Sequence, residues 1–186
     1  MKRCKYVNLN NPLYVSYHDN EWGKPVHDDK VFFEFLILEA FQAGLSWECI
    51  LNKREAFKKA FCEFDVNKVS SFTDQDIERL MADKGIVRNR RKIEASINNA
   101  KIFLQIQKER GSFASYIWSF TNQQIVYEPY YIRTTSPLSD NISKDLKKRG
   151  MKFLGSTIVY SYLQATGIIN AHGEECELFN HGLSSC

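Results

Sequence analysis

The chain of 186 residues can build one sizeable core, or two small lobes sharing one, and needs no disulfide staples to fold. A net charge of only +3, with 13% aromatic residues, excludes attachment to nucleic acid through bulk charge, so any DNA contact must come from clustered cations. Five scattered cysteines, behind an N-terminus with no apolar signal-peptide core, predict reduced thiols or metal ligands in a cytoplasmic protein.

Sparse Gly and Pro, with apolar residues at helical spacing, predict an all-α fold without linkers or repeats. Tyr17, His18 and Trp22 fall in a polar, aromatic loop ending at Val26. Asp28-Asp29 opens an apolar helix to about Gln42 that carries the acid Glu39 near its end. An acid among aromatic rings suits a flat ligand with a polar edge, cationic ligands included. It equally suits the polar rim of a core helix, the commoner fate of an isolated Glu. Gly44 breaks this helix and Ser46 caps a second through Phe61. Asp65 opens a short turn, and Thr73-Asp74-Gln75-Asp76 caps a helix that Gly85 ends.

Ile93, Ile97, Ala100 and Leu104 share one face of a helix that Gly111 terminates, and Ser112 caps a short successor. Thr121 to Ser136 is the least helical stretch, with β-branched and aromatic residues at Ile125-Val126-Tyr127. Ser139-Asp140 caps a basic helix ended by Gly150, and a last apolar helix runs from about Thr157 to Thr166. The uncharged run from Phe153 to Gly173 is too polar for a membrane span and reads as a buried helix with a polar turn.

Two clusters carry chemistry. Asp83 to Lys92 reads as a helix-hairpin-helix, in which backbone N–H groups grip a DNA phosphate: Gly85 lets the backbone approach, Ile86 packs between the helices, and Arg88 and Lys92 add charge. A solvated basic turn with Gly85 as a helix cap fits the same residues. Cys4, His18, His172 and Cys176 form a Cys2His2 set suited to tetrahedral zinc, with His27, His181 and Cys186 as competing ligands.

The motifs Tyr17-His18-Asp19-Asn20-Glu21-Trp22-Gly23, Leu38-Glu39, Gln42-Ala43-Gly44-Leu45-Ser46-Trp47, Lys53-Arg54-Glu55, Gly85-Ile86-Val87-Arg88-Asn89-Arg90, Trp118-Ser119-Phe120 and Leu146-Lys147-Lys148-Arg149-Gly150 run in one order between Cys4 and Cys176. Together they resemble the bacterial DNA-3-methyladenine glycosylase I family. The resemblance implies a helix-hairpin-helix glycosylase that releases N3-methyladenine from alkylated double-stranded DNA, with free 3-methyladenine as product. It also implies a structural zinc at Cys4, His18, His172 and Cys176. Tyr17, Trp22, Glu39 and Trp47 would form the base pocket, with Glu39 as the catalytic group and Leu45 plugging the gap left by the flipped base.

The expected organisation is a single unit over residues 1–186. A hairpin subdomain spans about 65–155, and the terminal segments form a zinc-tied second lobe; the protein is expected to be monomeric and free of membrane contact. No Asp occurs from Lys84 to Ser139, where the wider superfamily commonly carries its acid, and no lysine reads as a Schiff-base nucleophile. The expectation is therefore a monofunctional hydrolase without lyase activity. Two rivals remain open: a non-catalytic DNA-binding hairpin module with a structural zinc, and a metal-dependent hydrolase, which would need an open zinc position.

Overall fold

The computed structural model describes residues 1–128 and 133–179, so His181 and Cys186 lie outside the described residues. Among the described residues ten α-helices follow one another: α1 Pro12–Asn20, α2 Asp29–Gln42, α3 Trp47–Asn52, α4 Arg54–Ala60, α5 Val66–Ser70, α6 Asp74–Ala82, α7 Arg90–Arg110, α8 Phe113–Ser119, α9 Pro137–Lys148 and α10 Ser156–Ala165. The only strands among the described residues are two-residue pieces, β1 (Val126–Tyr127) and β2 (Ile169–Asn170), paired in parallel. The all-α reading holds, and no described helix is long and apolar enough to cross a membrane.

The centre of the molecule is α2. Phe32, Phe33, Phe35, Leu36, Ile37, Leu38, Glu39, Ala40 and Phe41 are all buried, so this helix has almost no solvent face. A helix that is apolar all round belongs in the middle of a core, and α7, α8 and α10 pack around it. The two acids that open it divide the capping work. Asp28 accepts from the backbone N–H of Lys30 at 2.7 Å, whereas Asp29 accepts from Phe113 and Ala114 N–H at 2.9 and 2.8 Å, capping α8 instead.

Several boundaries differ from expectation. Tyr17 and His18 lie on α1, which Asn11 caps and Pro12 starts, not in a loop. The stretch expected as one helix from Ser46 to Phe61 is two, broken at Lys53. Helix α9 begins at Pro137 with Ser136 as its cap, where Ser136 and Ser139 exchange hydrogen bonds. A Pro in the first turn costs nothing there, since its missing N–H would have no helical partner.

Candidate functional site

Four elements converge on a cavity of about 260 Å³. The helix α1 contributes Tyr14 and Tyr17, α2 contributes Glu39 and Gln42, and α10 contributes Ser161 and Gln164; each pair is three residues apart and so shares a face. Trp22 follows α1, Trp47 opens α3, and Tyr6 completes the wall. The volume lies near the lower end of ligand pockets, about 300–1,000 Å³, and suits a single flat ring system. Tyr17, Trp22, Glu39 and Trp47, separated by up to 30 positions in sequence, thus line one cavity. The other five lining residues were not singled out by the sequence reading; of these, Tyr14 and Gln42 lie three positions from Tyr17 and Glu39 and share their helix faces.

The polar groups in this wall are unusual. Glu39 is 2% exposed, and its Oε2 has no hydrogen-bond partner among the described residues; the same holds for Gln42 Oε1 and Trp47 Nε1. Leaving a buried donor or acceptor unpaired costs roughly 1–3 kcal/mol. Burial alone pushes the Glu39 carboxyl up to about 8, with no cation among the described residues offsetting the lost hydration. The rings form a cage: Tyr17 lies 5.1 Å from Trp47, and Tyr6 meets Trp22 edge-on at 5.2 Å. A flat ligand with donor and acceptor edges fits such a wall.

On the other side of Trp22, Cys4, His18, His172 and Cys176 are all buried, with their ligand atoms within 4.8 Å of one another. Cys4 Sγ and Cys176 Sγ lie 3.6 and 3.5 Å from His172 Nδ1, and Cys176 Sγ lies 3.6 Å from His18 Nε2. A tetrahedron with zinc bonds of about 2.3 Å to sulfur and 2.0–2.1 Å to nitrogen has S···N edges of roughly 3.5 Å, so the four residues fit such an ion.

The outer partners are in place too. His18 Nδ1 is 2.9 Å from Asp19 Oδ1, and Arg3 grips that carboxylate at 2.7–3.0 Å. Arg3 holds the Asp19 carboxyl down at about 2. His172 Nε2 faces the Trp22 carbonyl at 3.3 Å, which ties the cluster to the cavity wall. Burial pushes the Cys4 thiol up to about 11 and the His172 imidazole down to about 4, so these two are neutral in the bare site and a bound cation must displace the Cys4 thiol proton. Gly23 is required here: with φ of +75°, its Cβ position is 2.9 Å from His172 Nε2. The turn from His172 to Cys176 is not helical; the Cys176 N–H closes onto Gly173 O at 2.8 Å.

The hairpin between α6 and α7 is formed, with Ile86 buried and Arg88 exposed. Gly85 and Lys92, both expected at the DNA, have partners within the protein. The Gly85 N–H donates to Asp83 Oδ1 at 2.7 Å and its carbonyl accepts from Lys53 Nζ at 3.1 Å; an added Cβ would sit 3.0 Å from Ala56 Cβ. Gly85 therefore serves close packing, and its N–H is already committed. Lys92 is 5% exposed, and its Nζ donates to the carbonyls of Phe41 at 2.8 Å and Ala43 at 2.6 Å, so its charge points into the protein. Leu45 stands 41% exposed at the tip of the turn that follows α2.

Comparison with known proteins places this geometry. The methyladenine glycosylase family model matches residues 7–181. DNA-3-methyladenine glycosylase 1 of Escherichia coli strain K12 is 46% identical over 95% of this chain and 96% of its own. The crystal structure of a 3-methyladenine DNA glycosylase I superposes with a TM-score of 0.92 at 43% identity, covering 96% of this chain and 100% of that one. A Staphylococcus aureus 3-methyladenine DNA glycosylase I, solved to show the structural basis of 3-methyladenine recognition, matches at 41% identity and a TM-score of 0.90, over 95% and 96% of the two chains.

Proposed function

The chain belongs to the methyladenine glycosylase family, and on that premise we propose that the Glu39 cavity receives N3-methyladenine turned out of duplex DNA. Its activity is hydrolysis of the N-glycosyl bond of that base in alkylated DNA, a step of base excision repair. The observation that carries the site assignment is the unpaired, fully buried Glu39 carboxyl inside an aromatic cage of one-base size.

An enzyme acting on a base must take it out of the stack, and a damaged base unstacks most cheaply. N3-methylation makes the adenine formally cationic. When water adds to the sugar C1′, the glycosidic electron pair returns to the ring and discharges that cation; neutral 3-methyladenine leaves, an abasic site remains, and water's proton passes to solvent. No strong acid is required. Glu39, neutral at pH 7 in the empty cavity, ionises as the cationic base arrives, accepts a hydrogen bond from the amino group, and stabilises the positive charge as it moves toward the sugar. The faces of Tyr17, Trp22 and Trp47 add cation–π attraction of roughly 0.5–2 kcal/mol each. Leu45 fills the space the base has left, and Arg88 contacts the phosphate backbone.

Zinc is the ion we assign to the Cys2His2 cluster, from its donor types and spacing. Four protein ligands leave no place for a water, so the metal is structural and would tie the N-terminal segment to the turn at His172–Cys176. The cavity lining includes no lysine among the described residues, which supports a monofunctional hydrolase. The same reading retains a hairpin subdomain at about 65–155, with a second lobe from the two terminal segments, in a monomer working in the cytoplasm.

Incubation with methylated duplex DNA, followed by chromatography of the released base, tests the proposal. N3-methyladenine should appear while the strand stays intact until the abasic site is cleaved chemically. If no base is released the glycosylase reading fails, and direct strand cleavage would overturn the monofunctional assignment.

A further inference from the structure

Lys92 occupies the third position of α7, the helix that leaves the hairpin, and Asn89 caps its backbone N–H at 3.2 Å. Its side chain runs away from solvent and ends on the last turn of α2, with Nζ 2.8 Å from Phe41 O, 2.6 Å from Ala43 O and 6.0 Å from the centre of the Phe41 ring. The final carbonyls of a helix have no helical partner, and they form the negative end of its dipole. At the end of α2 the chain turns sharply: Leu45 N–H closes onto Gln42 O at 2.6 Å, and Gly44 adopts a φ of +84°. This short turn joins Glu39 and Gln42, which line the cavity, to Leu45 at the exposed tip and to Trp47, which lines the same cavity.

No carboxylate pairs with Lys92 among the described residues, and burial lowers its pKa. A neutral side chain of the same length would fill this space without giving up the hydration of an ammonium, so packing alone does not explain a lysine here. What the ammonium adds is two directed hydrogen bonds that set the path of residues 41–46.

We propose that Lys92 is a positioning residue that registers the base cavity and the Leu45 tip to the DNA-gripping hairpin. This inference rests on the functional reading above and extends it. A duplex held by the hairpin presents the damaged nucleotide at a fixed offset from α7, and Lys92 holds the receiving loop at that same offset. Lys92 touches neither phosphate nor base.

The test uses full-length Lys92→Met, which keeps length and removes charge and donor, with Lys92→Arg as the conservative variant. In single-turnover excision from methylated duplex, Lys92→Met should be at least tenfold slower at saturating enzyme, while its affinity for undamaged duplex and the salt slope of that binding stay within twofold of the parent. A 2-aminopurine placed beside an abasic analogue should lose most of the fluorescence change that insertion of Leu45 produces. Lys92→Arg, which can reach both carbonyls, should restore most of the rate. A merely structural role would lower excision, duplex binding and melting temperature together. Parental excision by Lys92→Met, or a weakened salt slope showing a direct phosphate contact, would overturn the inference. Lys92→Gln carries the same measurements should Lys92→Met not fold. If the parent protein itself releases no base, the functional reading has failed; if the parent is active and the Met variant equally so, only the Lys92 inference has.

Discussion

Two buried polar clusters meet at Trp22, and they differ in how their hydrogen bonds are satisfied. On one side, His18 has Asp19 and Arg3 behind it, His172 has the Trp22 carbonyl, and Cys4 Sγ takes the Gly173 N–H at 3.5 Å. Outer partners that orient metal ligands are built in for Cys4, His18 and His172. On the other side, Glu39 Oε2, Gln42 Oε1 and Trp47 Nε1 are buried without partners. A cluster whose ligands are braced from behind holds structure together, and one left unpaired is set for a ligand that comes and goes. Burial alone would not separate them, since His18 and Glu39 are both almost fully enclosed.

The largest effect should come from breaking the satisfied cluster. Cys176→Ala removes one of four ligands, and because binding free energy at a structural metal is folding free energy, the melting temperature should fall by roughly 10 °C or more. The parent should carry one zinc per chain by native mass spectrometry, and a chelator strong enough to strip it should produce the same loss. Parental stability in a zinc-free variant would reduce the cluster to an ordinary buried contact.

Breaking the unpaired cluster should act in opposite directions on activity and stability. Glu39→Gln should slow excision by roughly 10–100-fold, about 1.4–2.8 kcal/mol of transition-state stabilisation. It should also stabilise the protein at high pH. The native carboxyl titrates near 8 and the unfolded one near 4.5, so across that window the unfolded chain has released a proton that native Glu39 keeps. Native stability is therefore fullest below about pH 4.5 and falls as pH rises to about 8. Glutamine removes this dependence: thermal melts of variant and parent should coincide near pH 4.5 and diverge in the variant's favour by several degrees at pH 8. A constant difference across that range would mean that Glu39 is paired in solution.

How much of this was legible in the sequence differs between the two clusters for a physical reason. The ligands are chemically distinctive, so the donor set could be nominated from residue type although its members lie up to 172 positions apart. The cavity was half legible. Glu39, Trp22 and Trp47 stand out by chemistry, but Ser161 and Gln164 on α10 are ordinary polar residues until tertiary packing turns their face toward Glu39. The helices were readable from caps and periodicity, apart from α1, whose aromatic residues masked a helix that Asn11 and Pro12 announce. The burial of Lys92 was not legible because a lysine in a basic run is normally solvated, and only the neighbouring end of α2 reveals it.

Smaller effects should separate wall from edge. Trp47→Ala removes one ring of the cage and its contact with Tyr17, and should weaken binding of the free, neutral 3-methyladenine, followed by fluorescence of the remaining tryptophans, by roughly 2- to 12-fold, the equivalent of about 0.5–1.5 kcal/mol for one aromatic pair. An unchanged affinity would take Trp47 out of the base site while leaving Glu39 in it.

Arg88→Ala should produce the smallest change, and it sharpens the contrast with Lys92. Arg88 is exposed on the hairpin, so its charge can reach a phosphate that the buried Lys92 ammonium cannot. Neutralising one phosphate contact should lower the slope of log K against log salt by about 1 and weaken undamaged duplex binding uniformly across sequences. Because this contact is electrostatic, the loss should shrink as salt rises, and excision at saturating enzyme should be nearly unaffected. Titrating duplex into parent, Arg88→Ala and Lys92→Met at several salt concentrations places the two cations in separate roles: one changes how tightly DNA is held, the other how well held DNA is cut from its damaged base. If Lys92→Met changed the slope and Arg88→Ala did not, the assignments would have to be exchanged, and the hydrogen bonds from Lys92 to the end of α2 would have to open when DNA binds.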